Sequence, residues 1–292
     1  MSLSSMNLNP CFCISRPLSR VNRGLDRQPS CFTTLFLYLH SFAMAAIASQ
    51  LVFHPAVNQS LKYAATTVGR DKVYRAVQYF ARFYAWYLLT RGDDKANAAR
   101  WTALKSHLGT ARKLMRLGKP VEHLQAALKN AFAPAPPAET ITSVARQVAY
   151  FGYLSYDVAI WANTIKFINL APETAKRIAK TSFRFWFAGI VFSLINGILK
   201  SRRLAAEAKK LKQSRPWGEK DLAEEAARET RLEAVQTARL ATRQQLTIDL
   251  LDVWIPATGS ELVSVNEGTL GLLGLLSSIL GIQNQWNAVN KK

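Results

Sequence analysis

The chain is poor in the residues that build redox, metal and catalytic sites. Its three cysteines, Cys11, Cys13 and Cys31, lie near the N-terminus of 292 residues, so a disulfide framework for the rest is excluded. The four histidines stand at positions 40, 54, 107 and 123, without a second ligand at zinc-like spacing. No nucleotide-binding loop or nucleophile-elbow motif is present. We therefore predict no enzymatic activity, no metal and no cofactor.

Acidic side chains are also scarce, with 19 Asp and Glu against 38 Lys and Arg, a net charge of +19. Hydrophobic residues nevertheless make up 49% of the chain, which excludes most disordered proteins. The apolar and basic residues are segregated, because 13 basic but only three acidic side chains fall in residues 44–119. This pattern indicates a membrane or a nucleic acid as the partner.

Composition divides the chain into six regions. Four are predicted to be helical; the exceptions are the N-terminal extension and an Ala/Pro linker, in which prolines remove backbone hydrogen-bond donors. The six regions are an N-terminal extension (1–43), a basic amphipathic region (44–130), the linker (131–138), a hydrophobic region (139–200), a charged region (201–247) and a C-terminal region with a Gly/Leu-rich segment (248–292).

The N-terminal extension is rich in Ser and Arg and leads into an apolar run. A secretory signal and an organelle transit peptide both fit this composition. We favour a third interpretation, in which Met44 is the true start of the protein.

Helical spacing, with no proline after Pro55, predicts a long helix over 50–90, and the same spacing predicts a second helix over 97–117. On a helical wheel of 71–89, an aromatic-rich arc opposes a basic face, as in helices that lie in a membrane interface. The alternative is a helix whose apolar stripe faces the core of a bundle. We predict a membrane-inserting face of Val73, Ala76, Val77, Phe80, Phe83, Tyr84, Tyr87 and Leu88, and anionic-lipid contacts from Lys72, Arg75 and Arg82.

Two uncharged segments are candidates for crossing a bilayer. Residues 268–290 are long enough, and the small residues Gly274, Ser277, Ser278 and Gly281 would permit close helix packing in lipid. A buried glycine-rich element of a bundle remains the alternative. Residues 185–199 are short, with basic flanks on both sides, so either a span or a shallow insertion is possible.

Several strings in the chain are similar to those of the peroxisomal biogenesis factor 11 (peroxin eleven) family. They are KYAATTVGRDK (62–72), VQYFARF (77–83) and WYL (86–88) after His54 and Pro55, then ARKLMRLGKPVEHLQAA (111–127), YDVAIWAN (156–163) and DLLDVWIP (249–256). Members usually begin shortly before the His-Pro pair, which is why we favour Met44 as the start.

The resemblance implies an all-α protein of the peroxisomal membrane, with amphipathic interfacial helices and one or two membrane segments, whose ends both face the cytosol if there are two. It implies that the protein tubulates and elongates this membrane before fission, self-associates and recruits a dynamin-like division machinery. Insertion of helices into one leaflet supplies a physical reason for curvature. The expected partners are therefore anionic phospholipids, further copies of the chain and fission proteins.

Two other functions remain open. Asp157 and Lys166 stand within apolar sequence, where buried charge often marks a pathway, so a channel for small metabolites is the main alternative. Basic residues interleaved with aromatics also fit nucleic-acid binding, which we do not predict.

Overall fold

The computed structural model describes residues 49–50, 52–92, 94–213 and 222–290, which are almost entirely α-helical and contain no strand. The predicted all-α class is confirmed. The N-terminal extension, with its three targeting interpretations, lies outside the described residues. The helices are α1 (Pro55–Ala65), α2 (Thr67–Arg91), α3 (Lys95–Leu114), α4 (Lys119–Ala131), α5 (Pro137–Thr164), α6 (Pro172–Gln213), α7 (Leu222–Asp252), α8 (Trp254–Gly259) and α9 (Glu267–Asn290).

The chain divides into two compact units, residues 1–57 and 58–292. In the described part of the first unit, the imidazole Nδ1 of His54 accepts a hydrogen bond from the backbone N–H of Ala56, at the start of α1. His54 is thus a helix-start residue. Everything that follows concerns the second unit.

The long helix predicted for 50–90 is divided at Thr66. The Thr66 hydroxyl accepts a hydrogen bond from the N–H of Gly69 and donates one to the carbonyl of Tyr63, which makes Thr66 an N-cap. Gly69 allows the chain to turn closely here, because a Cβ at this position would lie 2.3 Å from the Tyr63 carbonyl oxygen. Local capping therefore overrides the continuous apolar period.

The next helix boundaries follow the predicted breaks. Helix α2 ends at Gly92, which has a positive φ of 74°, and the Asp94 carboxylate then caps the N-terminus of α3. Helices α4 and α5 are separated by residues 132–136, which lie in the predicted Ala/Pro linker. Proline occupies the first turn of both helices, where its missing N–H costs nothing.

Helix α2 is central to the second unit, because it packs along both α3 and α9. Helix α5 packs along α6 and also contacts α4, while α7 returns along α6 and reaches α9. A small apolar core joins Tyr79, Ile255 and Leu270, and a second cluster of Leu204, Ala208 and Val235 holds α6 against α7. These contacts bring α2, α3, α5, α7 and α9 around a shared interior.

Among the described residues, only α6 is long and apolar enough to cross a membrane, and only 22% of its most apolar stretch is buried. It contains the uncharged segment 185–199. The C-terminal segment 268–290 does not reach the same hydropathy, because α9 ends in polar residues. Helix α9 packs along α2 and α7, which favours the alternative of a buried glycine-rich element.

Candidate membrane-facing surface and interior charge network

This bundle buries many polar residues and exposes many large hydrophobic ones. Among its described residues, 12 polar or charged residues are buried beside 16 hydrophobic ones, and 27 large hydrophobic side chains are exposed. Soluble proteins seldom bury Arg, Asp or Glu unless these residues are paired, and extensive exposed apolar surface marks contact with a partner or a membrane.

Helix α2 displays part of the predicted membrane-inserting face. Val73, Val77 and Phe80 are each about 40% exposed. The rings of Phe80 and Tyr84 pack edge-on against Trp101 of α3, with centroids 5.7 and 5.0 Å apart, so this end of the arc is partly covered. Ala76, Phe83, Tyr84 and Tyr87 are half-buried, while Leu88 is buried.

A second exposed apolar face, which sequence analysis missed, lies on α4 and the turn before it. Its members are Leu117, Val121, Leu124 and Leu128, of which Val121 is 61% exposed and Leu128 is 58% exposed. The buried side of α4 holds Pro120 and Ala127 instead. The spacing of four, three and four residues is helical and could have revealed this face from the sequence.

Two of the three predicted lipid-facing cations form ion pairs with neighbouring helices. Arg75 is buried, and its guanidinium lies 2.6 Å from the Asp252 carboxylate of α7. Arg82 makes two hydrogen bonds, of 2.8 and 2.5 Å, to the Glu267 carboxylate of α9. The wheel was correct in setting them opposite the apolar arc. A neighbouring helix, which a wheel does not contain, covers Arg75, so the headgroup-binding role predicted for Arg75 is revised. The pair between Arg82 and the half-exposed Glu267 lies at the surface, and the roles predicted for Arg82 and Lys72 stay predictions.

The wheel also placed Tyr79 and Trp86 on the polar half of α2, and α9 packs against this half. Its glycines permit the contact, since a Cβ on Gly274 would lie 2.3 Å from the Tyr79 ring and one on Gly268 would lie 2.2 Å from Trp86. Gly274, Ser277, Ser278 and Gly281 are all buried here. The small residues thus allow α9 to pack closely within the bundle, whereas their packing in lipid remains a prediction.

The interior of the bundle is a charged cavity of about 680 Å³, lined by eight Lys or Arg side chains and four aspartates. Arg112 of α3 donates to Asp71 at 2.9 Å and to the Gln78 amide oxygen at 2.7 Å. Arg116 donates to Asp157 and to the Tyr153 hydroxyl, both at 3.0 Å. Lys113 lies 3.2 Å from the same Asp157. We call this space the interior cavity.

Burial and charge together shift the ionisation of groups in the interior cavity. Burial, reinforced by Arg75, lowers the pKa of Lys72 to about 8. Burial acts to raise the pKa of Asp71, but Arg112 and Arg116 outweigh it and hold this pKa below its usual value. Burial raises the pKa of Asp249, which accepts hydrogen bonds from Ser193 and Gln245.

The two charges that suggested a channel are not equivalent. Asp157 is 6% exposed and lines the interior cavity, whereas Lys166 is exposed and follows the end of α5 with a φ of 61°. Only Asp157 therefore belongs to the polar interior. No group of three His, Cys, Asp or Glu that could hold a metal occurs within the described ranges.

Comparison with known proteins gives a consistent result. Residues 57–286 match the model of the peroxisomal biogenesis factor 11 family. Peroxisomal membrane protein PMP27 of Saccharomyces cerevisiae is 29% identical over 83% of this chain and 99% of its own length. Peroxisomal biogenesis factor 11 of Schizosaccharomyces pombe is 24% identical over 75% of this chain and 90% of its own length. Peroxisomal membrane protein 11B of Homo sapiens is 25% identical over 76% of this chain and 94% of its own length. No solved structure is significantly similar. Because the family model spans most of the chain, this protein belongs to the peroxisomal biogenesis factor 11 family.

Proposed function

We propose that this protein curves, tubulates and elongates the peroxisomal membrane by inserting amphipathic helices into one leaflet, and so promotes peroxisome fission and proliferation. The family to which the chain belongs consists of peroxisomal membrane proteins that act in peroxisome biogenesis, which supports this proposal. It is a family of membrane biogenesis rather than of catalysis.

The observation that carries the proposal is the combination of exposed apolar faces on α2 and α4 with ion pairs in the interior. Transfer of the exposed apolar side chains of α2 and α4 from water into lipid lowers the free energy. The charged side chains that would oppose insertion are paired in the interior. A helix that enters about 5–10 Å into one leaflet occupies area there and favours positive curvature. Self-association would concentrate these insertions, and a dynamin-like machinery would then divide the elongated membrane.

The test is tubulation of vesicles by the reconstituted full-length chain. Val77→Ser with Phe80→Ser should reduce the length and number of tubules seen by electron microscopy, because both side chains are exposed and apolar. Ser106→Ala, at an exposed position of α3, is the matched control and should tubulate like the parent. Equal tubulation by all three proteins would contradict insertion through α2.

A metabolite channel is the second candidate, and the charged interior cavity is the observation that favours it. Conductance of the reconstituted chain in planar bilayers tests this function. A channel through the cavity requires that Asp157→Asn change ion selectivity and that Lys166→Gln leave it unchanged.

A further inference from the structure

The charges that line the interior cavity are not balanced. Eight Lys or Arg side chains face four aspartates, and the carboxylates are largely committed. Asp252 pairs with Arg75, Asp71 pairs with Arg112, and Asp157 pairs with Arg116 and Lys113. The surplus charge therefore lies on cations that these acids do not neutralise.

Four lining cations remain after these pairs. Arg82 pairs with Glu267 and Lys119 pairs with Glu122, both acids lying outside the cavity lining, so Lys72 and Arg146 are the two that no described carboxylate pairs with. Within the described residues, neither forms an ion pair or a hydrogen bond, and the buried Nε of Arg146 has no acceptor. The Arg146 guanidinium lies over the Tyr150 ring, 5.5 Å from its centroid, which orients the group without satisfying its donors. Buried donors without an acceptor are rare in native proteins, and each such group requires an explanation.

Lys72 and Arg146 line the same cavity, together with Asp249 and Asp252. Asp252 acts electrostatically on Lys72 and on Tyr150, the residue on which Arg146 stacks. Arg146 acts electrostatically on Asp249, whose buried carboxylate already accepts hydrogen bonds from Ser193 and Gln245.

We propose that the interior cavity binds a phosphate group, to which Lys72 and Arg146 donate hydrogen bonds. Guanidinium and ammonium groups are the usual phosphate ligands in proteins, and hydrogen bonds between ions are about twice as strong as neutral ones. A doubly charged phosphate gains twice the attraction of a carboxylate from the same surplus of positive charge. The volume of about 680 Å³ accommodates a phosphate together with the molecule that carries it.

The phosphate could belong to a soluble molecule or to a lipid headgroup, and two probes distinguish these sources. Inorganic phosphate tests the soluble source, with the full-length chain in a neutral detergent. Phosphatidylcholine vesicles with or without phosphatidic acid, a phosphomonoester lipid, test the headgroup source after reconstitution. In both arms the readout is the midpoint of thermal unfolding, and titration calorimetry measures the affinity in detergent. This inference does not depend on membrane curvature, so tubulation assays and binding assays can fail independently.

Lys72→Met and Arg146→Gln should each weaken phosphate binding by about tenfold or more, since each removes a charge-assisted hydrogen bond. Arg100→Gln and Lys129→Met remove exposed cations that do not line the cavity and should leave the affinity unchanged. Lys72→Arg keeps the charge and should retain most of the binding, so it separates loss of a ligand from loss of the fold.

Protonation provides a second readout. Lys72 has a pKa of about 8 in a setting formed by Arg75, Asp71, Asp252 and Arg112. A bound phosphate would favour the charged ammonium, so binding near pH 8.5 should take up protons. Calorimetry in two buffers of different ionisation enthalpy measures this uptake, which Lys72→Met should abolish.

Stabilisation by either probe that depends on Lys72 and Arg146 supports the site and identifies the source of the phosphate. The proposal is overturned if neither probe stabilises the protein, if acetate binds as tightly as phosphate, or if Arg100→Gln weakens binding as much as Arg146→Gln.

Discussion

The exposed apolar face of α4 allows a quantitative test of membrane insertion. We consider the triple change of Val121, Leu124 and Leu128 to Ser. These side chains are 61, 46 and 58% exposed, so about half of each remains to be removed from water by a membrane. Full burial of such a side chain contributes about 1.5–3 kcal/mol, and the exposed half therefore about 1 kcal/mol.

The three changes together should cost about 3 kcal/mol of insertion free energy, which shifts the ratio of embedded to unembedded α4 by about two orders of magnitude. The fold should persist, because Pro120 and Ala127 form the buried side of this helix. The depth of α4 in the membrane can be measured with a fluorophore attached to the cysteine of a Gln125→Cys variant that lacks other cysteines. This variant is reconstituted with brominated phosphatidylcholine.

Quenching by the brominated lipid should be strong in the parent and weak in the triple variant. Glu122→Ser is the matched control, because Glu122 is exposed, already polar and joined to Lys119 by a surface ion pair of little energetic value. Unchanged quenching in the triple variant would refute the assignment of this face to the membrane. Equal loss in the control would mean that any serine on α4 disturbs it.

Three further predictions concern the interior. Arg75→Met should destabilise the protein by about 3–5 kcal/mol, because Asp252 stays buried without its partner. Adding Asp252→Leu to this variant should restore most of the lost stability. Thermal unfolding in detergent measures both variants, and equal stability of the single and the double variant would contradict the pairing. Gly271→Ala should cost about 1–3 kcal/mol, because its Cβ would lie 2.6 Å from the backbone N of Phe83, while Gly118→Ala has open space and should not destabilise. The pKa of Lys72 is about 8 in the folded protein and about 10.5 in the unfolded chain, so the unfolded state binds more protons between these pH values. The free energy of unfolding should therefore rise by up to about 3 kcal/mol as the pH is raised from 8 to 10.5. Lys72→Met should lack this rise.

Much of the architecture could be predicted from local chemistry. Helical periodicity, the break around Gly92 and the prolines between α4 and α5 define most of the helices, since each acts within a few residues. The split at Thr66 could have been found as well, because a threonine three residues before Gly69 can cap a helix. The family was also recognisable from short strings of residues, because they retain their order along the chain.

The environment of each helix face depended on tertiary structure. The sequence alone determined that Arg75 and Arg82 oppose an apolar arc on α2, because a helix fixes the angle between its residues. Which of the two faces lies inside depends on α7 and α9, whose Asp252 and Glu267 stand more than 170 residues away along the chain. Glycines on α9 then allow that helix to cover the polar side of α2. The sequence therefore determined the helices and their two-sided character, and packing between distant segments decided that Arg75 faces the interior cavity while Val73, Val77 and Phe80 stay exposed.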